Sequence, residues 1–125
     1  MPEGGLSISV TGLRSNRGQV LACLMTDARA FPDCSHDPAA HRLAVPATSA
    51  VVLDFGRLAP GRYAVSLLHD ENGNGKADMV LMMPREGFGF SRDAAVRFGP
   101  PRFERAAFDV AGTEIHQAIR MRYMF

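Results

Sequence analysis

The stretch "EIHQAIRMRYMF" (residues 114–125) decides the fold. Ile115, Ile119, Met121, Tyr123 and Phe125 share one side of a two-residue period, with Gln117 among them. His116, Arg120 and Arg122 share the other side. A strand gathers such residues on one face, whereas a helix scatters them around its circumference. The segment therefore predicts a half-buried strand, and the rest of the chain repeats the pattern. "LSISVTGL" alternates Leu6, Ile8 and Val10 with Ser7, Ser9 and Thr11. "QVLACLM" is apolar on both faces and predicts a central strand. "HRLAVPA" carries Pro46, which suits an edge. "SAVVLDFG" sets Val51, Leu53 and Phe55 on one face. "LAPGRYAVSLLHD" turns at Pro60-Gly61, then sets Tyr63, Val65, Leu67 and His69 opposite Ala64, Ser66 and Leu68.

"FERAAFDV" predicts a weaker strand, and "REGFGFSRD" a loop of alternating glycine and aromatic residues. Residues 26–40, with Pro32 and Pro38, predict a long loop with one helical turn at residues 27–30. Six to eight short strands at this spacing argue an all-β antiparallel β-sandwich of about seven strands. No repeat and no boundary divides residues 1–125, so a single domain is expected.

Composition narrows the function classes. Hydrophobic residues make up 46%, enough for a core, and 12 glycines with 8 prolines favour turns over a helical bundle. A net charge of +1 gives no field suited to nucleic acid or an anionic membrane. No apolar run reaches the ~20 residues of a membrane span. The chain begins Met1-Pro2-Glu3-Gly4-Gly5 without a basic or apolar leader pattern. A cytosolic protein and a mature secreted form restarted at Met both fit. Cys23 and Cys34 read either as a disulfide across eleven positions or as two separate thiols, one of them a small core residue.

One motif carries chemistry. "HDENGNGKAD" (residues 69–78) places Asp70, Asn72 and Asn74 at positions 1, 3 and 5 of a calcium-type loop, Gly75 at 6, Lys76 at 7 and Asp78 at 9. Alternating oxygen side chains on a tight backbone, with a main-chain carbonyl at position 7, suit a hard cation. Position 12 is Leu81, where a helix–loop–helix site needs a bidentate Glu, and the flanks predict strands. An EF-hand is thus excluded. A shorter calcium loop stays open, its missing ligand coming from water, Glu86 or Asp93. Two Asn-Gly pairs equally specify a metal-free hairpin turn. Glu71 falls off the alternating set and is expected to face solvent.

His36 and His41 lie near Cys34 and Asp37, but they form no pair of ligand pairs for zinc. His69 adjoins Asp70 at a strand end, where it serves as a base or fixes loop geometry by hydrogen bonding. No nucleophile elbow, phosphate loop or cysteine–histidine signature is present, so no enzyme is expected. Gly87, Phe88, Gly89, Phe90, Phe98 and Gly99 form either a core lid or a contact surface for a glycan or an envelope protein, with Glu86 and Ser91 as further binding candidates beside Phe88 and Phe90.

"LAPGRYAVSLLHDENGNGKAD", "MPREGFGFSRD" and "GPPRFERAAFDV" together resemble the bacterial family catalogued as domain of unknown function 2141. The likeness runs from "GLRSNRGQV" through the final strand. It implies a secreted or periplasmic protein made with a cleavable signal peptide, and an immunoglobulin-like or prealbumin-like sandwich. It also weighs toward pairing of Cys23 with Cys34. It implies no activity. Prealbumin-like folds include a hydrolase of 5-hydroxyisourate, but its Tyr-Arg-Gly-Ser tail is absent from "RMRYMF". Relatives tend to carry Gly-Ile-Pro after the acidic loop, where this chain has Met82-Met83-Pro84.

Overall fold

A computed structural model describes residues 4–34, 37–48, 50–71, 79–80, 83–84, 87–96 and 99–123. Strands β1 (Gly4–Thr11), β4 (Val51–Leu58) and β10 (Ile115–Arg120) form a three-stranded sheet in the order β10-β1-β4. Strands β2 (Gln19–Met25), β3 (His41–Pro46), β5 (Gly61–Asp70) and β8 (Gly87–Phe90) run in the order β3-β2-β5-β8. Strand β9 (Phe108–Val110) also pairs with β5. Strands β6 (Met79–Val80) and β7 (Met83–Pro84) form a small antiparallel pair. The two larger sheets pack as an all-β sandwich, and β3 takes the edge position that Pro46 predicts.

The alternation in the sequence places the core. Leu6, Ile8 and Val10 of β1, Leu53 of β4 and Ile119 of β10 meet Val20, Ala22, Leu24, Val65 and Leu67 from the facing sheet. The interposed Cys23, Met25 and Ala64 point out of the opposite face of the five-stranded sheet. There they join Phe31, Phe88, Phe90 and Phe103 in a second cluster. Residues 26–34 and 37–40 cross this face and are tied to β2 by the Cys23–Cys34 disulfide. Of the two readings of the cysteines, the disulfide is the one found.

Three expectations change. The first and last strands, β1 and β10, pair in parallel, while every other strand pair among the described residues is antiparallel. No hairpin joins chain ends this far apart, so a short connection does not dictate their direction. "FERAAFDV" is a single helical turn, α1 (Phe103–Ala106), followed by the short β9. "GFGF" is a strand rather than a loop: β8 pairs with β5 through Ser66↔Phe90 and His69↔Gly87.

The glycines explain β8. A Cβ on Gly89 would sit 2.7 Å from an Ile119 methyl, and one on Gly87 would strike the Tyr123 ring. Glycine at alternate positions lets the C-terminal segment pass close on one side, while Phe88 and Phe90 fill the cluster on the other. Phe88 and Arg122 then exchange reciprocal backbone hydrogen bonds of 3.0 and 2.9 Å, which join the two sheets at this corner.

Candidate functional site

The acidic motif leaves β5 at its root. Strand alternation turns His69 into the sandwich, where it is fully buried. A buried imidazole needs partners for both nitrogens. Nε2 lies 2.8 Å from the Arg17 carbonyl and Nδ1 lies 2.7 Å from Tyr123 Oη. A carbonyl only accepts, so in the neutral ring Nε2–H donates to Arg17. Nδ1 then accepts the Tyr123 hydroxyl proton, and Tyr123 Oη accepts the Arg14 backbone N–H at 3.0 Å. His69 thus ties the β1–β2 turn to β5 and to the C-terminal segment. Of its two sequence-level roles, this hydrogen bonding matches fixed loop geometry. Burial raises the Tyr123 phenol above its ordinary value.

Glu71 sits one turn of chain beyond. It does not face solvent: its side chain is 11% exposed and is held by three neighbours from the β1–β2 turn. Arg14 Nη2 donates to Oε1 at 2.6 Å and Arg14 Nε donates at 2.9 Å, while Ser15 Oγ donates to Oε2 at 2.7 Å and Arg17 Nη2 at 3.2 Å. The Arg14 guanidinium also stacks over the Tyr123 ring, 4.5 Å from its centroid. The Arg14 hydrogen bonds, joined by that from Ser15, outweigh burial and hold the Glu71 carboxyl at about 2, well below its ordinary value. The geometry depends on Gly18. Its φ of +71° suits glycine, and a Cβ there would collide with the Asp70 carbonyl.

Asp70 lies between these two anchors and is fully buried, with Gln19 Nε2 approaching Oδ2 at 3.4 Å. It is the described member of the calcium set. Asn72, Asn74, Lys76 and Asp78 lie outside the described residues, as do Glu86, Phe98 and His36. Asp93, the other candidate for the missing ligand, is engaged elsewhere. It accepts from the Arg120 N–H at 3.2 Å and from Arg122 Nη2 at 3.1 Å, capping the edge of β10. Among the described residues, no three His, Cys, Asp or Glu side chains gather as a metal centre. Cys34 is consumed by the disulfide and is no zinc ligand.

The proposed contact residues turn inward. Phe88 and Phe90 are 4% and 6% exposed, and Ser91 is fully buried. Strand pairing with β5 carries the two phenylalanines into the second cluster, so they present no surface to a partner. Ser91 Oγ accepts the Val65 N–H at 2.9 Å and donates to the Ala106 carbonyl at 2.5 Å. Val65 falls where β8 has ended and β9 has not begun on that side of β5, so a side chain supplies the missing rung.

Sequence reasoning missed the clamp made by Arg14, Ser15, Arg17 and Tyr123. "RSNRG" read only as a turn; its two arginines flanking a serine, with the adjacent Gly18, were the signal available.

The fold and site define a disulfide-bonded all-β sandwich in which Arg14, Ser15 and Arg17 clamp Glu71 beside the end of β5. No helix among the described residues is long and apolar enough to cross a membrane. The chain belongs to the bacterial family described as uncharacterized protein conserved in bacteria (DUF2141), whose sequence model matches residues 8–118. No curated protein and no solved structure matches it.

Proposed function

We propose that this protein is a non-enzymatic, periplasmic or secreted β-sandwich whose acidic loop holds calcium as a structural ion. Asp70, Asn72, Asn74 and Asp78 supply side-chain oxygens and Lys76 its carbonyl. One observation carries the reading: Asp70 is fully buried at the root of the loop, between His69 and Glu71, each fixed by hydrogen bonds. A ligand held in place beforehand loses little freedom when an ion arrives. With two carboxylates in the set, the expected affinity is that of extracellular modules, about 10⁻⁴ M. The disulfide supports an oxidising compartment.

An envelope protein or a glycan as partner is the reading from another class. It stands second because burial removes Phe88 and Phe90 from any contact surface.

Thermal unfolding in chelator and then in millimolar calcium separates the two. An ion that binds only the native state at about tenfold its dissociation constant adds about 1.4 kcal/mol and raises the midpoint by roughly 3–6 °C. Asp70→Asn abolishes that shift. A midpoint indifferent to calcium in the unaltered protein refutes the calcium reading.

A further inference from the structure

We infer that residues 26–34 and 37–40 form a redox-gated strap, which the Cys23–Cys34 disulfide holds closed over the second aromatic cluster. The strap is a locally folded piece laid on the five-stranded sheet. Its described internal backbone hydrogen bonds join Phe31 to Asp27, Asp33 to Ala30, Asp37 to Cys34 and Ala40 to Asp37. Each of these bonds closes within the strap itself. Aromatic packing, hydrogen bonds and the disulfide hold it down. Phe31 inserts edge-on between Phe90 and Phe103, with ring centroids 5.9 and 5.8 Å away. Ser66 Oγ donates to the Pro32 carbonyl at 3.4 Å, and Arg42 Nη2 donates to the Cys34 carbonyl at 2.8 Å. The disulfide adds a covalent cross-link between Cys34 of the strap and Cys23 of β2, while the backbone itself joins the strap's ends to β2 and β3.

One feature of the closed state opposes closure. Asp37 is 4% exposed, and its Oδ2 has no hydrogen-bond partner, while Oδ1 accepts from the Ala39 N–H at 3.0 Å. A buried carboxylate oxygen without a partner is unfavourable, and opening returns it to water. The disulfide counters this by keeping the strap at high effective concentration over its seat. Opening need not disturb the sandwich, because the inter-sheet core contains no strap residue.

The chemistry is thiol–disulfide exchange with a dithiol reductant. Its thiolate attacks Cys34 Sγ, on the more exposed of the two cysteines, since Cys23 is 6% exposed. The Cys34–Cys23 bond breaks, and Cys23 leaves as a thiolate and takes up a proton. The reductant's second thiolate then attacks its own sulfur in the mixed disulfide and releases Cys34 as a thiol. Two electrons pass from the dithiol to the protein, and the dithiol leaves as a disulfide. Release of the strap uncovers Phe90 and Phe103, so aromatic surface is displayed only in the reduced protein.

The test is hydrogen exchange read by mass spectrometry on the full chain, oxidised and then reduced by a small dithiol, with dye binding to exposed apolar surface alongside. On reduction, amides of residues 26–34 and 37–40 are expected to lose protection and dye emission to rise several-fold. Amides of β1, β2 and β5 keep their protection, and reoxidation reverses both changes. The Cys23→Ala, Cys34→Ala double variant should behave as the reduced protein. If that variant does not fold, reduction of the folded native chain gives the same reading. Two results overturn the proposal: a reduced strap that stays protected, or loss of protection throughout the sandwich at once.

Discussion

Glu71 shows how one residue's position in three dimensions reverses its reading. Period-two alternation places it off the ligand set, yet Arg14, Ser15 and Arg17 enclose it from residues more than fifty positions away. Its carboxyl titrates near 2 in the fold against an ordinary 4.5. A depressed folded value means stability that is fully present above the unfolded value and lost as the pH falls through the folded one. Stability in chelator is therefore expected to fall between about pH 4.5 and 2. Arg14 is 40% and Arg17 74% exposed, so solvent screening reduces the effect to about 1–2 kcal/mol. Glu71→Gln removes that share of the acid dependence, and denaturant titrations at a series of pH values measure it. If the variant keeps the full acid loss, the clamp is not its source. Asp70 differs in kind: its place in the acidic motif was legible, because ligand spacing is local, but its burial was not.

At the scale of elements, the instructive case is the break along β5. Strand β8 covers Ser66 to His69 and β9 covers Gly61 to Tyr63, which leaves the Val65 N–H to Ser91. Ser91→Ala strands that N–H and the Ala106 carbonyl in the interior, for a loss of about 2–4 kcal/mol. A Ser91→Ala variant as stable as the parent in urea titration would contradict this role. Strand identity was readable here wherever one face is buried and the other wet, as in β1, β4 and β10. It failed at "GFGF" because glycine has no side chain with which to show alternation. Only the partners Ile119 and Tyr123 reveal why glycine stands there. It failed again at "FERAAFDV", where an apolar run splits into a helical turn and a short strand.

The whole molecule has two cores of different standing. The inter-sheet core draws on both sheets, and the second cluster lies under a strap and a helical turn. Leu53, fully buried between the sheets, is expected to reduce global stability by about 2–5 kcal/mol when cut to Ala. Phe31→Ala should instead act locally. It raises exchange in residues 26–34 and 37–40 with the disulfide intact and leaves amides of β1 and β4 protected. Equal global losses from both substitutions would show that the two clusters unfold as one unit. The calcium melt belongs to this scale too, since an ion at the loop stabilises the entire native state by mass action.

The sequence by itself determined the all-β class, the faces of most strands, the edge position of β3 and the oxygen-rich motif that begins at Asp70. All of these rest on periodicity and spacing within a few residues, which local sterics and hydrophobicity enforce. The tertiary structure alone decided the parallel pairing of β1 with β10, the disulfide over the two free thiols, and the inward turn of Phe88, Phe90 and Ser91. It also decided the clamp that draws Arg14, Glu71 and Tyr123 together. Those features join residues far apart in the chain, and such contacts are fixed by how the sheets close on each other.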